Sequence, residues 1–233
     1  GENIPFDIIR DKIPVHCIDA AFMINDTTAY IKLSKFTRTT YKEFKEAYQN
    51  LLSQGMKRLL FDLRDNTGGY FDQSLMLSNE FLEKGDGIVY MEGLHRPRQD
   101  YDADGRGSLK DIAISVLIDE GTASSSEIFA GAIQDNDRGV IVGRRSFGKG
   151  LVQEPINFTD GSGVRVTVAR FYTPSGRCIK KPYDMNYQYD IYERYAHGEM
   201  TSADSIKIDT TALFYTVKGR RVYGGGGIIP DIF

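Results

Sequence analysis

The sequence predicts an α/β fold with a mostly parallel sheet, flanking helices and a pair of antiparallel strands at its start. Three observations carry this prediction. The short apolar runs Lys57–Leu63, Ile112–Ile118 and Arg138–Gly143 are bounded by turn residues, as buried parallel strands are. Segments of helical periodicity, Tyr70–Gly85 and Ser125–Asn136, lie between them. The resulting β-α-β-α-β order implies right-handed crossovers.

Taken in order, Lys12–Ile24 and Thr28–Leu33 alternate apolar and polar residues, with Asn25-Asp26 turning between them. Thr40–Gly55 is a strong helix: Tyr41, Phe44, Tyr48, Leu51 and Leu52 line one face. Thr40 and Glu43 have the spacing of a capping box, and Gly55 ends the helix. Gly87–Gly93 reads as a further strand, and Leu151–Phe158 and Val164–Thr173 follow with β-branched alternation. From Lys181 onward the composition changes. This stretch holds seven of the 14 tyrosines, a short helix near Tyr189–Gly198 and the run Gly224–Gly227, and reads as an arm packed over the core.

The 233 residues suffice for one large domain with a substantial core. A net charge of -3 gives no basic footprint for nucleic acid or anionic lipid. The longest apolar run, Ile112–Ile118, is far too short to span a bilayer. Cys17 and Cys178 suggest neither a disulfide framework nor a metal knuckle; they could pair with each other, but two buried free thiols are the preferred reading.

Lys149 lies at the crossing of several motifs. Gly143-x-x-x-x-Gly148-Lys149 resembles a phosphate-binding loop, but Gly150 stands where a Ser or Thr would hold Mg²⁺, and a strand follows. Ser146-x-x-Lys149 would need a helix to align its side chains, and the glycines at 148 and 150 oppose one. Asp100, Asp102, Asp104, Gly105, Ser108 and Asp111 fall at calcium-loop spacing, yet the twelfth position lacks the bidentate Glu and helical flanks are absent. That segment reads as a polar surface loop. His16, His95 and His197 stand in no catalytic motif. No cofactor and no metal are expected.

There remains a pairing of Lys149 with a serine much earlier in the chain. The stretch Gly121–Asp135 places small hydroxyl residues between a buried strand and a helix start, beside unsatisfied N–H groups and the positive end of the helix dipole. On this stretch alone, simple capping by one of Ser124, Ser125 and Ser126 is the better account. Phe61–Ser74 adds a second strand end, with Gly68-Gly69 able to aim N–H groups into the same crevice.

Together the blocks "DLRDNTGG", "GTASSSEIFAGAIQDNDRG", "VGRRSFGKGLVQ", "ARFYTPSGR" and "GGGGIIPDI" resemble the C-terminal processing peptidases, or tail-specific proteases. The resemblance implies a crotonase/Clp-protease-like core. It further implies a serine endopeptidase acting near protein C-termini through an acyl-enzyme, with Ser124 as nucleophile and Lys149, 25 residues on, as general base. Gln153 resembles the residue that holds the lysine; the N–H groups of Ser125 and of Gly68 or Gly69 would form the oxyanion hole. A lysine acts as a base near neutrality when desolvated, and Phe147 and Val152 are expected to bury it. Asp135 lies eleven residues past Ser124, about 16 Å along a helix, and is read as structural.

The same resemblance divides the chain into residues 1–12, a remnant of an upstream PDZ-like domain or a linker; residues 13–180, the catalytic core; and residues 181–233, the Tyr-rich arm and the end of the core. Many members carry a PDZ domain ahead of the core, and Phe6–Asp11 reads as its last strand. The expected partners are protein or peptide substrates with exposed C-termini, and the expected location is the bacterial cell envelope or periplasm. A catalytically idle peptide-binding module using the same cleft by strand addition is the alternative.

Overall fold

The computed structural model describes residues 16–182 and 189–233. The expected strand at Phe6–Asp11, the whole 1–12 segment and the start of the first predicted strand lie outside the described residues, as does part of the tyrosine-rich arm.

The central sheet has five strands: β1 (Ile18–Met23), β2 (Thr28–Leu33), β3 (Arg58–Asp62), β6 (Ala113–Ile118) and β7 (Val140–Gly143), in the order β1-β2-β3-β6-β7. β1 is antiparallel to β2, and every other pairing is parallel. Helices α1 (Thr40–Ser53), α2 (Phe71–Asn79) and α3 (Ser125–Asp135) lie between these strands in the chain, as the periodicity predicts.

The expectation of one mostly parallel sheet is corrected in the second half. β4 (Gly87–Gly93), β5 (Arg96–Asp102), β8 (Leu151–Asn157) and β9 (Gly163–Tyr172) form a separate antiparallel sheet in the order β5-β4-β9-β8. The segment read as a polar surface loop is partly strand β5. Asp100 there pairs with Arg98, and Asp104 accepts from the Arg106 N–H and from Asn79, so the carboxylates are spread along an exposed strand and turn. Its residues are almost all exposed, so no apolar alternation announces it.

The Thr40–Glu43 capping box does not form. Thr39 is the N-cap of α1, and its hydroxyl donates to Glu43 Oε1 at 2.7 Å, while Glu43 Oε2 accepts the Cys17 N–H at 2.9 Å. The N-cap thus falls one residue earlier, with no side-chain capping bond to the backbone, and Thr40 turns inward, fully buried, to accept the Thr37 N–H.

Helix α3 sits between two cores, and all eleven of its residues are buried. Phe129 packs edge-on against Phe61 and Phe81 in the core under the parallel sheet. Ile128 and Ala132 face a second core with Leu82, Ile88 and Phe171 under the antiparallel sheet. Burying each such aromatic contributes about 1.5–3 kcal/mol. A helix gripped on every side presents its N-terminus in a fixed place.

The arm contains α4 (Asp190–Ala196) and the hairpin β10 (Leu213–Tyr215) and β11 (Arg221–Tyr223). The C-terminal segment then returns to the sheet, where Ile232 bridges Val142 beside β7.

Candidate active site

Two turns meet at the carboxyl ends of β3 and β6. Asp119, just past β6, accepts the N–H groups of Gly121 (2.9 Å) and Thr122 (3.1 Å), and across the cleft that of Asp65 (2.9 Å). Thr122 donates its hydroxyl to Leu63 O, and the Ala123 N–H donates to Asn66 O. The turn after β3 is therefore zipped to the turn after β6 by buried polar groups, all satisfied locally. At the base of the first turn, fully buried Asp62 takes Tyr30 Oη at 2.6 Å and a fork from Arg64. Burial opposes its ionisation, but Arg64 and Tyr30 outweigh it and hold the carboxyl below the usual carboxylate range.

Ser124 occupies φ 58°, ψ −118°, a conformation that costs a non-glycine residue about 1–3 kcal/mol. It is the N-cap of α3, with Glu127 completing a capping box. The cap therefore falls on the serine that the resemblance marks as nucleophile. The other two hydroxyls are committed elsewhere: Ser125 Oγ donates to Gly69 O and Ser126 Oγ to Asn66 O, each at 3.0 Å.

Gly68 lies hard against Ser124. A Cβ at Gly68, where φ is +87°, would stand 2.6 Å from Ala123 O and 2.8 Å from both Ser124 Cβ and Ser125 N. The Gly68 N–H is already bound to Asn66 Oδ1 at 2.9 Å. Among the described residues, the N–H groups of Gly69 and Ser125 have no acceptor. Of the two glycines expected at an oxyanion hole, Gly69 therefore holds the available donor.

Lys149 lies in the loop between β7 and β8, and Glu127 joins that loop to Ser124. The Glu127 carboxylate, fully buried, accepts four hydrogen bonds: Ser124 N–H (2.8 Å) and Lys149 N–H (2.8 Å) on Oε2, and Gly148 N–H (2.7 Å) and Ser146 Oγ (2.5 Å) on Oε1. Desolvation pushes its pKa up, against the pull of those four donors. The backbones of Ser124 and Lys149 are thus fastened to one anion. Ser124-x-x-Glu127 is a capping-box signature in the sequence, but nothing local to it marks the second role of Glu127 on the lysine loop.

Two expectations are corrected. Lys149 is exposed, not buried by Phe147 and Val152, and its ammonium has no hydrogen-bond or ion-pair partner among the described residues. The loop passes Phe147 to another cation: the Lys181 ammonium lies 4.1 Å from that ring. Gln153 is exposed on β8 and makes no hydrogen bond to Lys149. Alternation predicts a shared face for the two, but Lys149 precedes the strand and the β8–β9 register shifts between Val152 and Gln153.

Asp135 lies at the far end of α3 and pairs with Arg177 at 2.7 Å, both side chains fully buried. It accepts the Ser175 N–H as well, so it fastens the helix to the Thr173–Arg177 turn. His16, His95 and His197 are all exposed.

Residues 27–191 match Peptidase family S41. The chain is 40% identical over 152 residues to a chloroplastic C-terminal processing peptidase of Tetradesmus obliquus, covering 65% of this chain and 32% of that one. It is 39% identical over 186 residues to the carboxyl-terminal-processing protease of Synechocystis sp., covering 78% and 43%. Among solved structures, the photosystem II D1 C-terminal processing protease superposes with a TM-score of 0.64 at 34% identity, over 73% of this chain and 47% of that one. The chain thus spans about a third to under half the length of these relatives. With a match across most of its sheet, both facing turns and the lysine loop, this chain belongs to Peptidase family S41.

Proposed function

We propose that this chain is the core of a serine endopeptidase that cleaves polypeptides near their C-termini with a Ser124–Lys149 dyad. The observation that carries the reading is the strained Ser124, with the available N–H groups of Gly69 and Ser125 beside it and Glu127 tying its backbone to that of Lys149. Ser124 Oγ attacks the scissile carbonyl carbon while its proton passes to Lys149 Nζ. The developing oxyanion takes hydrogen bonds from the Gly69 and Ser125 N–H groups at the positive end of α3. Collapse breaks the C–N bond, and the departing amine takes the proton from Lys149. An ester to Ser124 remains, which water, deprotonated by Lys149, hydrolyses.

Lys149 is exposed, so in this reading the bound polypeptide supplies the desolvation that lets it act as a base. The core is crotonase/Clp-protease-like. Its partners are proteins with extended C-terminal tails, met in the bacterial cell envelope. No described helix is long and apolar enough to cross a membrane.

Ser124→Ala and Lys149→Ala should each abolish peptide cleavage with the fold intact, and the double variant should be no worse, since the pair acts as a unit. A serine-directed fluorophosphonate should label one residue, mapped to Ser124 by mass spectrometry. Labelling of Ser125 or Ser126, or cleavage by Ser124→Ala, refutes the dyad. Binding without labelling or turnover would instead identify an idle peptide-binding module.

A further inference from the structure

The lysine loop is gripped from its other side by residues beyond the segment that matches the family, 27–191. Arg194, on α4, has a side chain only 4% exposed, and its guanidinium donates to two main-chain carbonyls of the loop, Ser146 O at 3.1 Å and Arg145 O. Its Nε donates to Glu199 Oε1 at 2.8 Å. The Glu199 carboxylate, equally buried, also takes Arg145 through both oxygens, each at 2.7 Å. Ser146 is the joint. Its carbonyl receives Arg194 while its hydroxyl donates to Glu127 Oε1 and accepts the Ile228 N–H. One unbroken run of buried hydrogen bonds therefore leads from the arm to the backbones of Ser124 and Lys149.

Two arginines sharing one carboxylate in a dry site are a poor way merely to attach an arm, because apolar packing of similar volume stabilises as well or better. A guanidinium fork adds direction, fixing two carbonyls in position and angle. The arm has other attachments. Arg220 joins it to Asp137 and Gln134 O at the far end of α3, and the N–H groups of Gly225 and Gly227 donate to Cys178 O and Ile179 O.

We propose that Arg194 and Glu199 are positioning residues that set the lysine loop so that Lys149 meets Ser124, making the chemical step depend on the arm. This rests on the dyad reading above. The test uses the full chain with a fluorogenic peptide, and compares Arg194→Met, Arg194→Lys and Glu199→Gln with Arg220→Met, an arm anchor that touches neither site loop.

Arg194→Met and Glu199→Gln should lower kcat about 10–100-fold, the cost of a misplacement on the order of an ångström. KM should stay within about twofold, since the affected contact is made in the chemical step. The pH at which kcat rises should shift in the same variants. Arg194→Lys, with a point charge in place of the fork, should recover only part of the rate. Arg220→Met should lower Tm yet keep kcat.

Wild-type kcat in Arg194→Met overturns the proposal, as does an equal loss in Arg220→Met. If Arg194→Met does not fold, wild-type kcat and pH profile in Arg194→Lys and Glu199→Gln overturn it instead. Activity surviving in Lys149→Ala would remove the dyad reading itself. An inactive Lys149→Ala beside fully active Arg194 variants would remove only this inference.

Discussion

Replacing Glu127 with Gln tests whether one buried anion holds the two halves of the site together. The carboxylate serves four donors, two on each oxygen. An amide oxygen can keep two of them at most, and its NH₂ then faces the other two, donor against donor. A hydrogen bond to a charged group contributes about 1.5–3 kcal/mol, so the gross loss is about 3–6 kcal/mol. Relief of the desolvation that pushes Glu127 up offsets part of this, leaving a net loss of about 2–4 kcal/mol. In a chain of this size that lowers Tm by roughly 4–16 °C. Freed of its tether, Ser124 is expected to relax from φ 58°, and kcat should fall about 10²-fold, or near 2.7 kcal/mol in the barrier.

The assay pairs calorimetry with steady-state cleavage of a peptide at a temperature well below both melting points. The pH dependence supplies a sign. The folded pKa of Glu127 is raised, so wild-type stability declines as pH rises from the unfolded to the folded value, and the Gln variant lacks that decline. A variant with lowered Tm and wild-type kcat would show that Glu127 supports the fold alone. Unchanged Tm would refute the hydrogen-bond accounting itself.

Three further outcomes follow from the geometry. Asp135→Ala leaves the fully buried Arg177 with neutral acceptors on Gln134 and Tyr223 but no counter-charge, and should cost about 3–5 kcal/mol by calorimetry, while kcat per folded molecule in the cold stays near wild type; a specific loss of kcat would make Asp135 catalytic. Gly68→Ala drives a Cβ to 2.8 Å from Ser124 Cβ at a φ of +87°, so activity should fall at least as far as stability, and a fully active variant would contradict the close approach. Asp62 has a depressed folded pKa, so its stabilisation is complete above the ordinary carboxylate range and is lost as pH falls through it; Asp62→Asn should flatten the acid side of a Tm–pH curve, and a parallel curve would exclude this role.

Much of the molecule was legible in the order of its residues. Buried strands such as Ile112–Ile118 and helices such as Ser125–Asn136 carry their period in composition, because each is short and packs on one side or wholly inside. Ser124, Lys149 and the two glycines are singled out by the resemblance of their motifs to a peptidase family, with which the preference of tight turns for small hydroxyls and glycines agrees. Other features were decided only in three dimensions. β5 escaped notice because an exposed strand draws its stability from pairing with β4 and needs no apolar pattern of its own. A pair of adjacent glycines cannot disclose that the Gly68 N–H is bound to Asn66 while the Gly69 N–H has no acceptor among the described residues. The exposure of Lys149, and the seating of Lys181, 32 residues away in the chain, on the Phe147 ring, are likewise set by the tertiary structure. Glu127, Arg194 and Glu199 acquire their place from partners 19 to 54 residues distant. Local propensity records which backbone shapes a segment tolerates; the satisfaction of a buried charge depends on what the rest of the chain brings to it.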